Sequence, residues 1–276
     1  MRITIALFAI LAFFSCNKPK PEGLILKIRY QPERVYKIST IRGTETVITY
    51  SGQEIAMRKL KSMKIKNPTI SKVKTKTHME LVTDKSSTDK SFPVSLTYKK
   101  TMSLDGKNEI PEGTIVQGKI TGESMLTFNK VISEALDFDE KSQLLQMVRS
   151  TFGQFDFPEK RLKIGDQFST DRPVTIPMEG SVIETVVTTT YKLREIKNNT
   201  AQFELSQSYL MTPKIMDNSF KGSGSGKGEL SYDIGNSLVT DYSIKTELVM
   251  NKKLDYFEFD LKTINEFSQQ TILVTK

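Results

Sequence analysis

Around residues 72–81 the chain alternates with a period of two: Val73, Thr75, Thr77, Met79 and Leu81 take one parity, and Lys72, Lys74, Lys76, His78 and Glu80 the other. Successive side chains of a strand point to opposite faces, so this pattern predicts a half-buried strand and excludes a helix. Past a polar turn at 84–90, Phe92, Val94, Leu96, Tyr98, Met102 and Leu104 oppose Ser95, Thr97, Lys99, Thr101 and Ser103. The two runs predict a long antiparallel hairpin with one wet face.

The pattern returns later in the chain. Thr185, Val187, Thr189, Tyr191 and Leu193 alternate with Glu184, Val186, Thr188, Thr190, Lys192 and Arg194; after a turn at Lys197, Asn198 and Asn199, Phe203, Leu205, Tyr209 and Met211 oppose Gln202, Glu204, Ser206 and Ser208. Placing residues 77–81 on 189–193 and 94–96 on 203–205 predicts an internal duplication of a β unit. Between the copies the period changes: Phe128, Val131, Ile132, Ala135 and Leu136 carry the i, i+3, i+4 stripe of an amphipathic helix. A second helix follows, capped by Asp137 or Asp139, with Leu144, Leu145, Val148 and Phe152 on one face and Gly153 at its end. Toward the C-terminus, Leu230 and Tyr232 lead into a turn at 233–236. Leu238, Tyr242, Ile244, Leu248 and Met250 form the next strand face, and two further strands are expected over 254–261 and 264–274. The fold class expected is mainly β: a curved antiparallel sheet of half-barrel units, duplicated over 24–123 and 157–276 within a single domain, with a helical insert near 124–153.

The first residues follow another pattern. Met1 and Arg2 precede an apolar run over 3–14, then Ser15 and Cys16. The run is shorter than the roughly 20 residues that span a bilayer, and its order of charge, apolar core and small residue is that of a secretory signal. Phe13, Phe14, Ser15 and Cys16 resemble the lipobox of bacterial lipoproteins, with aromatics at 13 and 14 in place of the usual aliphatic or small residues. That resemblance implies cleavage after residue 15 and lipidation of Cys16, the only cysteine in the chain. Two or more acyl chains hold a protein stably on a membrane without any spanning helix. Residues 16–23 read as a polar, proline-interrupted tether. Asn17 stands where, in the enterobacterial sorting rule, an aspartate retains lipoproteins at the inner membrane, so the expected place is the cell envelope, at the outer membrane facing the periplasm.

The formal charge of +8 attracts phosphate groups. For an exported, tethered protein these are expected to be anionic lipid headgroups rather than nucleic acid. The densest run of cations is Arg58, Lys59, Lys61, Lys64 and Lys66, interleaved with Met57, Leu60, Met63 and Ile65. It reads either as a membrane-surface basic patch or as a solvated strand whose lysines discourage edge pairing.

Two longer motifs carry a family resemblance. The run Phe157-Pro158-Glu159-Lys160-Arg161-Leu162-Lys163-Ile164-Gly165-Asp166-Gln167-Phe168 resembles a Pro-x-Lys-x-Val-Lys-x-Gly-Asp-x-Trp signature in an uncharacterised family of Bacteroidota lipoproteins, with Phe168 at the tryptophan. Gly222, Gly224, Gly226 and Gly228, running into Leu230, Tyr232 and Asp233, are similar to the Gly-x-Gly strand entry of the same group. Both motifs imply fold rather than activity. The architecture expected is also similar to the half-barrels of periplasmic lipoprotein carriers, an analogy that does not fix function.

Candidate chemistry is sparse. The single histidine, His78, sits among lysines with neither a carboxylate behind it nor a nucleophile ahead, and zinc has almost no cysteine or histidine to choose from. Asp137, Asp139 and Glu140 lack the glycine and ligand spacing of a calcium loop. The 222–228 run lacks the flanking glycine and hydroxyl of a phosphate loop. The expectation is therefore a non-enzymatic protein with no catalytic residue, metal or cofactor, attached to the membrane by its N-terminal lipid. It is expected to bind a lipid or other hydrophobic ligand under the helices, on the inward faces formed by Met79, Leu81, Val94, Leu96 and Tyr98 and by Tyr191, Leu193, Phe203, Leu205 and Tyr209, faces that read equally as a closed core. The alternative is an envelope scaffold whose polar faces engage a protein partner and which takes no small ligand.

Overall fold

A computed structural model describes residues 23–103, 110–122, 125–153, 155, 157–178, 181–213, 220–254 and 256–274. The signal segment, Cys16 and the tether lie outside the described residues, as does Leu104. The strands are β1 (Leu24–Ile25), β2 (Val35–Gly52), β3 (Thr69–Thr83), β4 (Phe92–Ser103), β5 (Ile115–Thr121), β6 (Met125–Ile132), β7 (Arg161–Leu162), β8 (Gln167–Met178), β9 (Ser181–Lys197), β10 (Thr200–Pro213), β11 (Phe220–Asp233), β12 (Leu238–Lys253) and β13 (Phe257–Val274). Two helices, α1 (Glu54–Ser62) and α2 (Phe138–Phe152), complete the described elements.

Among the described residues, eleven strands form one sheet in the order β6-β5-β4-β3-β2-β13-β12-β11-β10-β9-β8, and β1 pairs with β7. Every pairing is antiparallel. Each half of the sheet is a meander, and the halves join where β2 lies against β13 along its whole length, from Val35 opposite Val274 to Gly52 opposite Phe257. The sheet does not close, because β6 and β8 remain its edges. Pro173 and Pro177 sit in the edge strand β8, where a missing N–H costs no inner ladder bond.

The alternation read from sequence is what the sheet uses. On β3 the odd residues from Thr77 to Thr83 are buried, and on β9 those from Thr185 to Leu193. Burial gathers at the end of the sheet where β2 begins, in two clusters on one face, here termed the inner face. The first joins Tyr36, Ile38, Leu81, Val94, Leu96, Val116 and Phe128 to Leu144 and Val148 of α2. The second joins Leu24, Leu26, Leu162, Leu193, Phe203, Leu205, Leu230 and Tyr232. Removing this much apolar surface from water is the main force holding the sheet.

Several expectations are corrected. Phe128, Val131 and Ile132 lie in strand β6, not in a helix, so the first half extends past 123 and the helical insert is α2 alone. A helical stripe and an inward-facing strand with a bulge have similar spacing over so short a run, and β6 has such an irregularity opposite Gln117 and Gly118. The helix expected after it is present: Asp137 and Glu140 form a reciprocal capping box, and Gly153 follows its last turn. The segments 254–261 and 264–274 are one strand, β13. Lys66 precedes β3, but Arg58, Lys59 and Lys61 lie in helix α1 and not in a strand. On β4, a bulge opposite His78 and Met79 reverses the phase, so that Thr101 faces inward and Met102 outward of the parity expected. The two hairpins also pair differently from the superposition drawn in sequence. Leu81 faces Leu96 and Leu193 faces Phe203, because the tight turn at Asn198 and Asn199, both with positive φ, sets the second register.

The glycine run lies inside β11 and not at its entry. Gly224, Gly226 and Gly228 face the interior between β10 and β12, and a Cβ on Gly224 would stand 2.3 Å from Leu248 Cδ2 and 3.0 Å from Tyr209 Cδ2. The missing side chains leave room for side chains of β10 and β12 and, at Gly228, for the backbone of Ser243 to approach β11 closely.

Candidate ligand-binding face

The inner face is roofed differently over its two halves. In the first, α2 lies across β6 and the cluster beneath it: the Arg149 Nε–H donates to the Phe128 carbonyl at 2.8 Å, and the Phe152 ring meets the Phe128 ring edge-on at 5.2 Å between centroids. The helix does not fill the space under it. Beside Met147, Val148, Thr151 and Phe152 a cavity of about 90 Å³ remains, floored by Thr40, Arg42, Thr75, Thr77, Met79, Tyr98 and Thr101 and reaching Ile110 and Phe267. That is room for roughly three waters or a small polar head.

The lining combines apolar walls with hydroxyls. Thr101 is 1% exposed, and its Oγ1 is the one buried side-chain oxygen or nitrogen without a hydrogen-bond partner among the described residues. A buried hydroxyl left unpaired costs about 1–3 kcal/mol. Arg42 stands at the rim, its guanidinium carbon 5.8 Å from the Phe267 ring centroid and one nitrogen 4.0 Å from Met147 Sδ. Among the described residues no carboxylate makes an ion pair with it. Burial pushes the Tyr98 hydroxyl well above its ordinary pKa, with the nearby Arg42 charge pulling weakly the other way. Tyr98 is thus a neutral donor at any physiological pH.

In the second half no helix among the described residues covers the face. Instead Phe155 and Phe157 close it against the sheet: Phe168 stacks on Tyr191 at 4.8 Å, Phe157 meets both edge-on, and Phe155 meets Tyr242 edge-on at 5.2 Å. Ring pairs of this kind add about 0.5–1.5 kcal/mol each beyond the area they bury. Above them, the Gln207 Nε2–H donates to Thr189 Oγ1 at 3.0 Å and the Tyr209 hydroxyl donates to Gln207 Oε1 at 3.0 Å. Burial raises the pKa of Tyr242, helped by Tyr191 and Tyr209 beside it.

The ten apolar residues expected to face a ligand therefore separate. Leu81, Val94 and Leu96 are sealed in the first cluster, and Leu193, Phe203 and Leu205 in the second; Tyr191 is buried in the aromatic stack and Tyr209 is half-buried above it. Met79 and Tyr98 alone among the ten line the cavity. Sequence reasoning missed Arg42, Thr101 and Thr151. Thr101 was hidden by the bulge on β4, and Arg42 by lying in β2, a strand whose inward parity is polar from Thr40 to Thr46.

No family model and no curated protein matches the chain. Among solved structures, it is similar to the crystal structure of Pseudomonas aeruginosa OccK5 (OpdH) over 86% of this chain and 98% of that one, with 5% identity and a TM-score of 0.25. A likeness that loose supports no statement about function.

The other sequence candidates fall elsewhere. His78 is half-buried on the outer face, with Ser39 and Lys100 as its cross-strand neighbours. Asp137 and Glu140 are engaged in capping α2. The five cations at 58–66 lie at the far end of the sheet, remote in the ladder from the cavity. No helix among the described residues is long and apolar enough to cross a membrane.

Proposed function

We propose that the chain is a lipid-anchored envelope protein that binds a lipid or other hydrophobic molecule on the inner face of its first half-sheet, with a polar head or chain end seated under α2. The anchor is Cys16, and binding requires no chemistry from the protein. The observation that carries this reading is the Thr101 hydroxyl, buried and unpaired at the floor of a cavity with apolar walls. A bound head group would satisfy this hydroxyl, and Tyr98 and Arg42, which line the same cavity, would share the contact. A whole acyl chain exceeds the cavity, so the remainder of a ligand would run out past Phe267 along the inner face.

The test is native mass spectrometry of the chain from residue 17, followed by solvent extraction. An extractable amphiphile on the parent chain, absent from a Thr151→Phe variant that fills the cavity, is expected. A parent that is bare after gentle purification, and that takes up no fatty acid or phospholipid when these are added, rejects the proposal. The anchor is tested separately: Cys16→Ser should block processing at that site and release the protein from membranes.

A further inference from the structure

At the far end of the sheet from both core clusters, β2 and β3 are joined by α1, and none of its residues is buried. β2 is 18 residues long, so at about 3.3 Å per residue this tip stands up to about 60 Å from the end where the chain enters at β1. The turn joining β12 to β13 meets α1 there: the Gln53 N–H donates to the Tyr256 carbonyl at 3.0 Å, and Gly52 pairs with Phe257. Large apolar side chains are left in solvent on this composite tip: Ile55 is 80% exposed, Met63 61% and Tyr256 65%. Around them stand Arg58, Lys59, Lys61, Lys64 and Lys66, with Glu54 the one acid in the helix and already paired to Arg58. Isolated exposed apolar residues need no explanation, but three on one tip, on and beside a short helix with no buried residue and with these five cations outnumbering the nearby acids Glu54, Glu258 and Asp260, do.

We propose that this tip docks on the surface of an anionic phospholipid bilayer, with Ile55, Met63 and Tyr256 at headgroup depth and the five cations against lipid phosphates. Charge complementarity selects the occupant: the tip carries a net positive charge and an aromatic side chain of the kind that settles at a membrane interface. Because it lies at the opposite end of the sheet from β1, the contact is distinct from attachment near the N-terminus. It is also independent of the cavity under α2.

The chain from residue 17 keeps every described strand, helix and core residue, since all lie within 24–274. Its sedimentation with phosphatidylcholine vesicles, with and without phosphatidylglycerol, is the experiment. Binding is expected only with phosphatidylglycerol and should weaken as salt rises. Each surface charge near such a membrane is worth about five-fold in affinity, so replacing Lys59, Lys61, Lys64 and Lys66 with glutamine should lower binding more than about 100-fold. Replacing Lys37, Lys76, Lys100 and Lys227, exposed lysines away from the tip, should lower it far less. The chain has no tryptophan, so Tyr256→Trp gives a single reporter, whose emission should shift to the blue on binding. Equal loss from the two lysine sets, or a reporter that stays in water while the protein binds, overturns the proposal. So does an absence of phosphatidylglycerol-dependent binding by the correctly folded parent.

Discussion

The two halves of the sheet begin from the same alternation of apolar and polar residues and end with different interiors. In the second, five aromatic rings from 155–168, β9 and β12 close the inner face ring against ring. In the first, a helix does the closing, and its Met147 and Thr151 leave a gap over a floor of threonines. Strand periodicity decides which side chains face inward; whether they meet a filled interior or a cavity depends on what lies across them. The ligand-binding reading rests on that difference.

The largest test of the comparison is truncation of the two cores. Leu81→Ala and Leu193→Ala each empty a fully buried site and should each cost about 2–5 kcal/mol in denaturant unfolding. Because β2 and β13 pair along their whole lengths, both variants should melt in one transition shifted to lower denaturant. Two separate transitions, each sensitive to one variant, would show the halves to be independent domains.

A smaller effect is expected at the glycines of β11 in the second half. A Cβ on Gly228 would lie 2.0 Å from the Ser243 carbonyl oxygen, whereas one on Gly226 meets the Thr246 methyl at 2.8 Å and the Gln207 side chain at 3.2 Å. Backbone cannot give way as side chains can, so Gly228→Ala should cost about 1–3 kcal/mol or more, and Gly226→Ala clearly less. Equal thermal shifts for the two would show that the close backbone approach at Gly228 does not set the cost.

The sharpest contrast lies in two threonines. Thr189 accepts a hydrogen bond from Gln207, and Thr189→Val should lose about 1 kcal/mol. Thr101 has no protein partner among the described residues, so Thr101→Val should leave the ligand-free protein unchanged or up to about 1 kcal/mol more stable, while weakening any ligand seated in the cavity. If Thr101→Val destabilises the ligand-free chain as much as Thr189→Val, the hydroxyl is satisfied within the fold and the cavity loses its argument.

The smallest effect separates the two hairpin loops by pH. Asp89 accepts hydrogen bonds from the Ser87 hydroxyl and from the Ser91 hydroxyl and N–H, and these hold its carboxyl well below the usual range. A depressed folded pKa stabilises above the ordinary carboxylate value and stops doing so as pH falls through the lower one. The 84–91 loop should therefore keep its order to unusually low pH and then lose it in a step that Asp89→Asn abolishes, followed by NMR of the Ser91 amide. The counterpart turn at Asn198 and Asn199 has no carboxylate at its two central positions and should show no such step.

Much of the sheet was legible because a period of two survives wherever one face is buried. The faces of β3, β9, β10 and β12 follow directly from Met79, Leu81, Tyr191, Leu193, Phe203 and Tyr242. What sequence hid were places where local pattern and backbone part company. A bulge on β4 turned Thr101 inward, and the short apolar spacing of β6 imitated a helix. At α1, Glu54 in the first turn and Lys59 and Lys61 in the last, a favourable placement along the helix dipole, lay within what read as a strand of lysines. A cavity under the helical insert could be expected from sequence, but not its lining beyond Met79 and Tyr98, since that depends on how α2 sits over strands far from it in sequence.

The ladder between β2 and β13 has a consequence for how the molecule is made. As the chain emerges from the ribosome, β2 (35–52) appears early and its last partner, β13 (257–274), only some two hundred residues later. Until then its β13-facing side is an unpaired template for other chains, and sealing it closes a loop of some two hundred residues, a slow step on entropic grounds. Folding intermediates of this protein should be trapped by partners that mask open strand edges, and a chain lacking its last strand should aggregate instead of folding to a smaller sheet.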